Sequence, residues 1–238
     1  MQDGSAGLEA FYATARGRAA AGAVRASLRR LWPSLAGLSV LGLGHATPYL
    51  RLWQKDAARV VALALPEARP RSWPPGRASL LAAGEGSSLP FADRAFDRVL
   101  MVHALEASEQ SRRAMREAWR VLAEGGQLVV VVPNRRGLWA HTEATPFGQG
   151  RPYSAAQLGE LCRLQMFLPR RREEILFVPP FPWRPLLQGA RAWDAVGRAL
   201  CPGLAGLLVQ EAEKSVLAPL AGGQAAPVRR TVLVEEAA

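Results

Sequence analysis

The 238-residue sequence is poor in cysteine and lysine. Cys162 and Cys201 stand alone, which excludes a disulfide framework and suits a reducing compartment. Lys55 and Lys214 are the only lysines, so arginine carries most of the positive charge behind a formal balance of +10. Because the arginines are scattered along the chain and form no single run, the net charge alone does not indicate a polyanionic partner.

The sequence also lacks a long hydrophobic run. Its longest uncharged stretch, residues 31–50, is broken by glycines and prolines, so no membrane span is predicted. The amino terminus has no continuous apolar segment followed by a cleavage site, as a secretory signal would require. We therefore expect a cytoplasmic protein. Because its histidines lie far apart and no H-x-x-H or C-x-x-C pattern occurs, no metal site is predicted.

Short runs rich in valine and leucine alternate with segments of helical period. This alternation is typical of a doubly wound, Rossmann-like α/β fold, with a mostly parallel sheet covered by helices on both faces. The predicted strands are residues 38–43, 59–65, 96–102, 127–132, 174–178 and 207–210.

The length suits a single domain. We predict one domain over residues 1–218 and a tail over 219–238. Within the domain we expect a helical cap over residues 1–34, a Rossmann-like core over residues 35–178 and an insertion over residues 179–203.

Helix signals support this organisation. Thr47 and Pro48 predict an N-cap and a first helical residue directly after the first strand. Ser154 with Gln157 predicts a capping box for a later helix. Residues 108–124 keep one apolar face, and two glycines, 125 and 126, predict the end of that helix.

Three segments together resemble a known family. They are the glycine turn at residues 40–48, the block E-G-S-S-L-P-F-A-D-R-A-F-D-R-V-L at 85–100, and the E-x-x-R-V-L-x-x-G-G element at 117–126. In order and spacing they are similar to class I S-adenosylmethionine-dependent methyltransferases of the type 11 group, in a bacterial subset with a degraded glycine motif. The resemblance implies a seven-stranded sheet whose last strand is antiparallel, and S-adenosylmethionine as cofactor.

The resemblance also implies where the cofactor binds. The glycine turn would contact the methionine end of the cofactor. An acidic residue after the third strand would bind the adenine, and the end of the fourth strand would lie beneath the sulfonium. The corresponding residues here are Gly42, Leu43, Gly44 and Ala46 in the turn, Glu85 and Gly86 after the third strand, and Val102 and His103 after the fourth.

Some residues depart from the family pattern. Gly42, Ala46 and Pro48 stand where the family has an acidic residue and two glycines. Ala64 replaces the acid that binds the ribose hydroxyls, and Glu67 is the nearest carboxylate. Losing such charge-assisted hydrogen bonds costs about 1.5–3 kcal/mol, so we expect affinity roughly 10- to 150-fold weaker.

Methyl transfer needs an in-line approach of a nucleophile to the methyl group and sometimes a general base. The candidate catalytic residues are His103, Glu106, His141 and Tyr153. Each also has a structural interpretation, because a histidine after a buried strand is often a hydrogen-bonded wall residue.

The predicted function is S-adenosylmethionine-dependent methyl transfer to an unidentified small-molecule acceptor. We expect the N-terminal helix and residues 179–200 to cover its pocket, and their arginines favour an anionic acceptor. The alternative is a catalytically inactive methyltransferase-like binding or regulatory protein, which the departures at the cofactor positions favour. A third hypothesis is RNA binding or RNA methylation through Arg/Trp pairs such as those in residues 135–139. The V-H-A-L at 102–105 disfavours base methylation, and the sequence does not fix the oligomeric state.

Overall fold

A computed structural model describes residues 4–64, 73–74, 80–142, 145–181 and 190–215. The helices are α1 (Gly4–Ala13), α2 (Ala15–Leu31), α3 (Thr47–Leu50), α4 (Ser111–Val121), α5 (Ala155–Leu164) and α6 (Ala190–Leu200), with short 3-10 helices at Leu138–His141 and Pro146–Gly148. The strands are β1 (Ser39–Gly44), β2 (Arg59–Ala64), β3 (Leu81–Ala83), β4 (Phe96–Val102), β5 (Leu122–Pro133), β6 (Phe167–Ile175) and β7 (Leu207–Lys214).

The strands form one seven-stranded sheet in the order β3-β2-β1-β4-β5-β7-β6. Strands β1 to β5 pair in parallel, whereas β7 lies antiparallel between β5 and β6. This confirms the predicted Rossmann-like fold with an antiparallel last strand. The chain builds outward from β1 to β3 and then returns to place β4 on the other side of β1. The carboxyl ends of β1 and β4 are therefore the switch point, where open α/β sheets bind ligands.

The central strands are apolar because helices cover both faces of the sheet. On one face, Val24 and Leu28 of α2 pack in a cluster with Val40 of β1. On the other face, Met115 of α4 and Leu158 of α5 belong to a second cluster. The sheet is therefore buried between two helical layers.

Helix α2 is fixed to the sheet by polar contacts, one of them fully buried. The Trp32 indole N–H, just after α2, donates to Oε1 of Glu211 in β7 at 3.1 Å, and Arg171 of β6 binds the same carboxylate. Ser27 and Arg30 of α2 both bind Glu173 of β6. The N-terminal cap is thus anchored through α2.

Several predicted boundaries are confirmed. Strand β4 covers the predicted residues 96–102. Ser154 and Gln157 form the predicted capping box at the start of α5. Strands β1 and β2 match their predicted ranges within one residue over the described part of the chain.

Other boundaries were wrong. Helix α4 ends at Val121, before the two glycines, because Leu122 already has extended backbone angles and begins β5. Helix α3 has only four residues, and Ala46 precedes it with no side-chain cap, so Thr47 is not its N-cap. The strand predicted at 174–178 is instead β6, which ends at Ile175, and Leu176 has φ +67.

The predicted tail, residues 219–238, and part of the predicted insertion lie outside the described residues. Within the described part of the chain, no helix has both the length and the apolar character to cross a membrane. The same residues contain no group of His, Cys, Asp and Glu side chains suited to a metal ion.

Candidate active site

The backbones of β1 and β4 lie very close at the switch point. Gly44 pairs with Val102 and has φ +68. A Cβ on Gly44 would lie 2.4 Å from the carbonyl oxygen of Val102, so only glycine allows this approach. The same carbonyl accepts a 2.7 Å hydrogen bond from the N–H of His45. The glycine turn therefore closes directly against the end of β4.

His103, the first residue after β4, has φ +53. Non-glycine residues rarely adopt this left-handed conformation, and those that do occur often at functional sites. Its N–H donates to the carbonyl oxygen of Val131 in β5 at 3.1 Å, which holds the unusual backbone in place.

The His103 ring is held from both sides. Its Nδ1 lies 2.5 Å from Oε1 of Glu106, and its Nε2 lies 2.7 Å from the hydroxyl of Tyr12 in α1. An ionised carboxylate can only accept hydrogen bonds, so Nδ1 donates to Glu106 and Nε2 accepts the Tyr12 hydroxyl proton. His103 is 3% exposed and Glu106 is 9% exposed. Because Nδ1 carries the proton in this arrangement, Nε2 keeps its lone pair.

Aromatic rings enclose this hydrogen-bonded chain. Tyr12 stacks on His45 with centroids 4.5 Å apart, and Phe147 stacks on His103 at 5.1 Å. Phe11 packs edge-on against Phe147 at 5.1 Å. The end of α1 therefore covers the switch point. We call Tyr12, His45, Tyr49, His103 and Glu106 the His103 cluster.

Three buried polar atoms of the His103 cluster lack hydrogen-bond partners among the described residues. They are Nε2 of His45, the hydroxyl oxygen of Tyr49 and Oε2 of Glu106. Burial, with a smaller effect of His103, lowers the pKa of His45 to about 4, so its ring is neutral at pH 7. Burial also raises the pKa of Tyr49 to about 12 and that of Tyr12 well above its ordinary value. Because unpaired buried polar atoms are costly, their presence at one place fits a site for a polar ligand.

The other residues expected at the cofactor site follow β2 and β3. Glu85 is exposed just after β3, where it forms an isolated bridge with Ser88, and Gly86 faces open space. Strand β2 ends at Ala64, so the strand offers no carboxylate for a ribose. Glu67 lies outside the described residues.

The structure separates the predicted catalytic residues into two groups. His103 and Glu106 are in direct contact. His141 is exposed at the end of a 3-10 helix, and Tyr153 lines a different groove, beside Arg163 of α5. Within the described ranges no hydrogen bond or ring contact joins His141 or Tyr153 to His103.

Tyr12 was not predicted from the sequence as a site residue, and no role was predicted for the His45 side chain. Tyr12 lies 91 residues before His103, so no local spacing links the two side chains. The available signal was weak: Phe11 and Tyr12 are adjacent aromatic residues in a segment of small residues.

The L-P-F block, residues 85–100, and the R-V-L element, residues 117–126, contact each other. Arg120 donates to the carbonyl oxygens of Leu89 and Phe91 and to the carboxylates of Asp93 and Glu117, at 2.7–2.9 Å. Glu117 also accepts from the N–H of Leu89 at 2.8 Å. We call these residues the Arg120 contact. It fixes the loop that precedes β4.

Comparison with known proteins gives a consistent assignment. Residues 40–130 match the family model of the type 11 methyltransferase domain. Uncharacterized proteins of Mycobacterium tuberculosis and Mycobacterium bovis are 33% identical over 111 residues, which is 44% of this chain. The chain spans 39% of the length of these curated relatives.

Solved structures share the fold. One from Thermotoga maritima, described as a SAM-dependent methyltransferase and possible histamine N-methyltransferase, has a TM-score of 0.60 at 19% identity, covering 87% of this chain and 94% of its own. An S-adenosylmethionine-dependent methyltransferase from Mesorhizobium loti has a TM-score of 0.57 at 16% identity, covering 79% and 96%. The [4+2]-cyclase SpnF has a TM-score of 0.55 at 21% identity, covering 81% and 80%.

The cyclase among these structures means that the fold alone does not identify a reaction. The sequence match to the type 11 methyltransferase domain extends over residues 40–130, and the described part of the chain shares its fold with solved S-adenosylmethionine-dependent methyltransferases.

Proposed function

We propose that the protein uses S-adenosylmethionine to methylate a small-molecule acceptor at the His103 cluster. The observation that carries this proposal is the buried chain Tyr12–His103–Glu106 at the switch point of a methyltransferase domain. A histidine oriented by a carboxylate is a suitable general base, and its position after β4 is where the fold binds ligands.

The cofactor would lie across the ends of β1 and β4. The turn formed by Gly42, Leu43, Gly44 and Ala46 would hold its methionine part, Glu85 and Gly86 its adenine, and Val102 and His103 would lie below its reactive end. The unpaired Oε2 of Glu106 and Nε2 of His45 support this placement, because a ligand with polar groups can satisfy both atoms. When bound, S-adenosylmethionine supplies an electrophilic methyl group.

His103 would accept a proton from the acceptor. The Glu106 carboxylate holds Nδ1–H, which leaves the lone pair of Nε2 available. An acceptor O–H or N–H that replaces the Tyr12 hydroxyl would give its proton to Nε2 as the nucleophile attacks. The resulting positive charge on the His103 ring is then stabilised by Glu106, which acts as a positioning residue.

Tyr12 has to leave Nε2 before an acceptor can bind there. Helix α1 ends at Ala13, and Thr14 caps α2 through a hydrogen bond from the N–H of Gly17. Helix α2 stays fixed to β6 through Ser27 and Arg30, and Trp32, just after the helix, binds Glu211 of β7. We infer that α1 can move as a unit about Thr14 while α2 keeps its place.

A small acceptor fits this site better than a polymer. Tyr12 and Phe147 contact the His103 ring, and Phe11 packs against Phe147, so side chains enclose the space beside Nε2. We also propose a cytoplasmic location, which the free thiols of Cys162 and Cys201 support.

Calorimetric titration with S-adenosylmethionine and S-adenosylhomocysteine tests the cofactor. We expect saturable binding to the wild-type protein and roughly tenfold weaker binding to Glu85→Gln, because a charge-assisted hydrogen bond is lost. Glu109→Gln, an exposed carboxylate near the start of α4, is the matched control and should bind as the wild type does. Absence of heat at millimolar ligand would contradict the proposed function.

A further inference from the structure

A pocket of about 570 Å³ lies between α2 and the segment that follows β1. Its described lining includes Arg25 and Arg29 of α2, Thr47 and Arg51 near α3, and Trp73. The two α2 arginines are four residues apart and so project from the same face of the helix. Three guanidinium groups therefore converge on one concavity.

These three guanidinium groups have no carboxylate partners among the described residues. The Arg25 guanidinium lies over the ring of Tyr49 at 5.9 Å, while the guanidinium groups of Arg29 and Arg51 have no hydrogen bond or ion pair in the described ranges. In contrast, Arg30 and Arg120 each bind a carboxylate. The pocket thus gathers positive charge that the described part of the chain does not neutralise.

A buried donor in the same pocket is also unpaired within the described ranges. Trp73 is 7% exposed, and its indole Nε1–H has no hydrogen-bond partner among the described residues. The indole N–H groups of Trp32, Trp53 and Trp139 all donate to protein oxygens. A buried indole N–H normally finds an acceptor, so Trp73 points to one that a ligand supplies.

The chemistry of the lining defines the ligand. Guanidinium and indole groups are donors only, so the ligand must be an acceptor. Three positive charges suit an oxyanion with more than one negative charge, and arginine forks match the oxygen geometry of phosphate. We propose that this pocket binds a phosphate group of a small molecule.

The proposed phosphate pocket is next to the His103 cluster but separate from it. Tyr49 forms the wall between them, because Arg25 covers its ring while His45 contacts its edge, with ring centroids 6.5 Å apart. Phosphate binding there requires neither a methyl donor nor an acceptor. A failure of phosphate binding can therefore be distinguished from a failure of the proposed methyl transfer.

The test is calorimetric titration of the full chain with pyrophosphate and, separately, inorganic phosphate at constant ionic strength. Arg29→Gln and Arg51→Gln should each weaken pyrophosphate binding about tenfold or more. The control is Arg163→Gln, which removes an exposed arginine from the other arginine-lined groove, beside α5. It should bind pyrophosphate as the wild type does.

Nuclear magnetic resonance gives a second, local readout. The indole N–H signal of Trp73, assigned through Trp73→Phe, should move with saturating pyrophosphate while the other indole signals stay in place. Absence of saturable binding, an unchanged Trp73 signal, or an equal loss in Arg163→Gln would overturn the proposal. The proposal would also be overturned if the protein bound single-stranded RNA more tightly than pyrophosphate, with RNA binding weakened in Arg163→Gln and unchanged in Arg51→Gln.

Discussion

The two ends of β4 meet polar side chains of very different kinds. Before β4, the Arg120 contact pairs every charged group that it contains, with hydrogen bonds to Leu89, Phe91, Asp93 and Glu117. After β4, the His103 cluster is more deeply buried and leaves three polar atoms without hydrogen-bond partners among the described residues. The first arrangement is what folding favours, and the second is costly unless a ligand uses it.

This contrast shows that the L-P-F and R-V-L motifs and the proposed reactive site consist of different residues. The L-P-F block and the R-V-L element are segments that carry the resemblance to the type 11 group, yet their charged residues fix a loop. Residues of the proposed site, Tyr12 and Glu106 among them, belong to no motif. A family motif can therefore identify a fold through its scaffold and leave the reactive groups to be found by geometry.

The largest expected effect is on catalysis. His103→Gln removes the proposed base and should lower methyl transfer about 10²- to 10⁴-fold. The measurement is transfer of radiolabel from S-adenosylmethionine to acceptors in a bacterial metabolite extract. His141→Gln changes an exposed histidine outside the cluster and should leave the rate unchanged. Equal rates for His103→Gln and wild type would remove His103 from the mechanism.

The next effect is on stability and concerns the other end of β4. Arg120→Ala should lower the free energy of unfolding by about 4 kcal/mol, because two carbonyl oxygens and the half-buried Glu117 lose their partner. Urea unfolding measures this loss. Arg116→Ala, on the exposed side of the same helix, should change stability by less than about 0.5 kcal/mol. If Arg120→Ala lowered the free energy of unfolding only slightly, the Arg120 contact would not be what fixes the loop before β4.

A third effect depends on pH. His45 is neutral in the folded protein down to pH about 4, whereas the unfolded histidine binds its proton near pH 6.5. Between these values the unfolded state holds more protons, so stability falls as the pH drops from 6.5 to 4, by about 2 to 3 kcal/mol.

His45→Asn should remove that part of the pH dependence, measured as urea unfolding at several pH values. His141→Asn should keep the wild-type dependence. If His45→Asn followed the wild-type curve throughout, the burial of His45 would not be the source of the slope.

The smallest effect concerns Tyr12. Tyr12→Phe removes the hydroxyl that binds Nε2 of His103 but keeps the ring that stacks on His45, so stability should fall by about 1 kcal/mol. Tyr153→Phe is the matched control and should cost less, because its hydroxyl has no hydrogen bond among the described residues. Equal losses would argue against a specific Tyr12–His103 bond.

The fold was predictable where burial on both faces makes a strand continuously apolar, as in β1 and β4. Strand β6 was misplaced because it lies at the edge of the sheet and carries charged residues, among them Arg171 and Glu173. Its sequence lacks the apolar run that marked the central strands.

The candidate site was predictable only in part. His103 was a candidate because it follows a buried strand whose end, by the family resemblance, lies at the cofactor. Tyr12 was not, because its contact with His103 spans 91 residues and depends on how α1 packs over the sheet. Long-range contacts of this kind leave no spacing in the sequence.

Ring signals of the three histidines provide the most direct test of the central claim, that the cofactor binds at the switch point. They can be assigned through single His→Gln variants and followed by nuclear magnetic resonance during titration with S-adenosylhomocysteine. We predict that the His103 and His45 signals shift together and saturate, while the His141 signal stays in place. No shift at millimolar ligand, or a shift confined to His141, would contradict the claim.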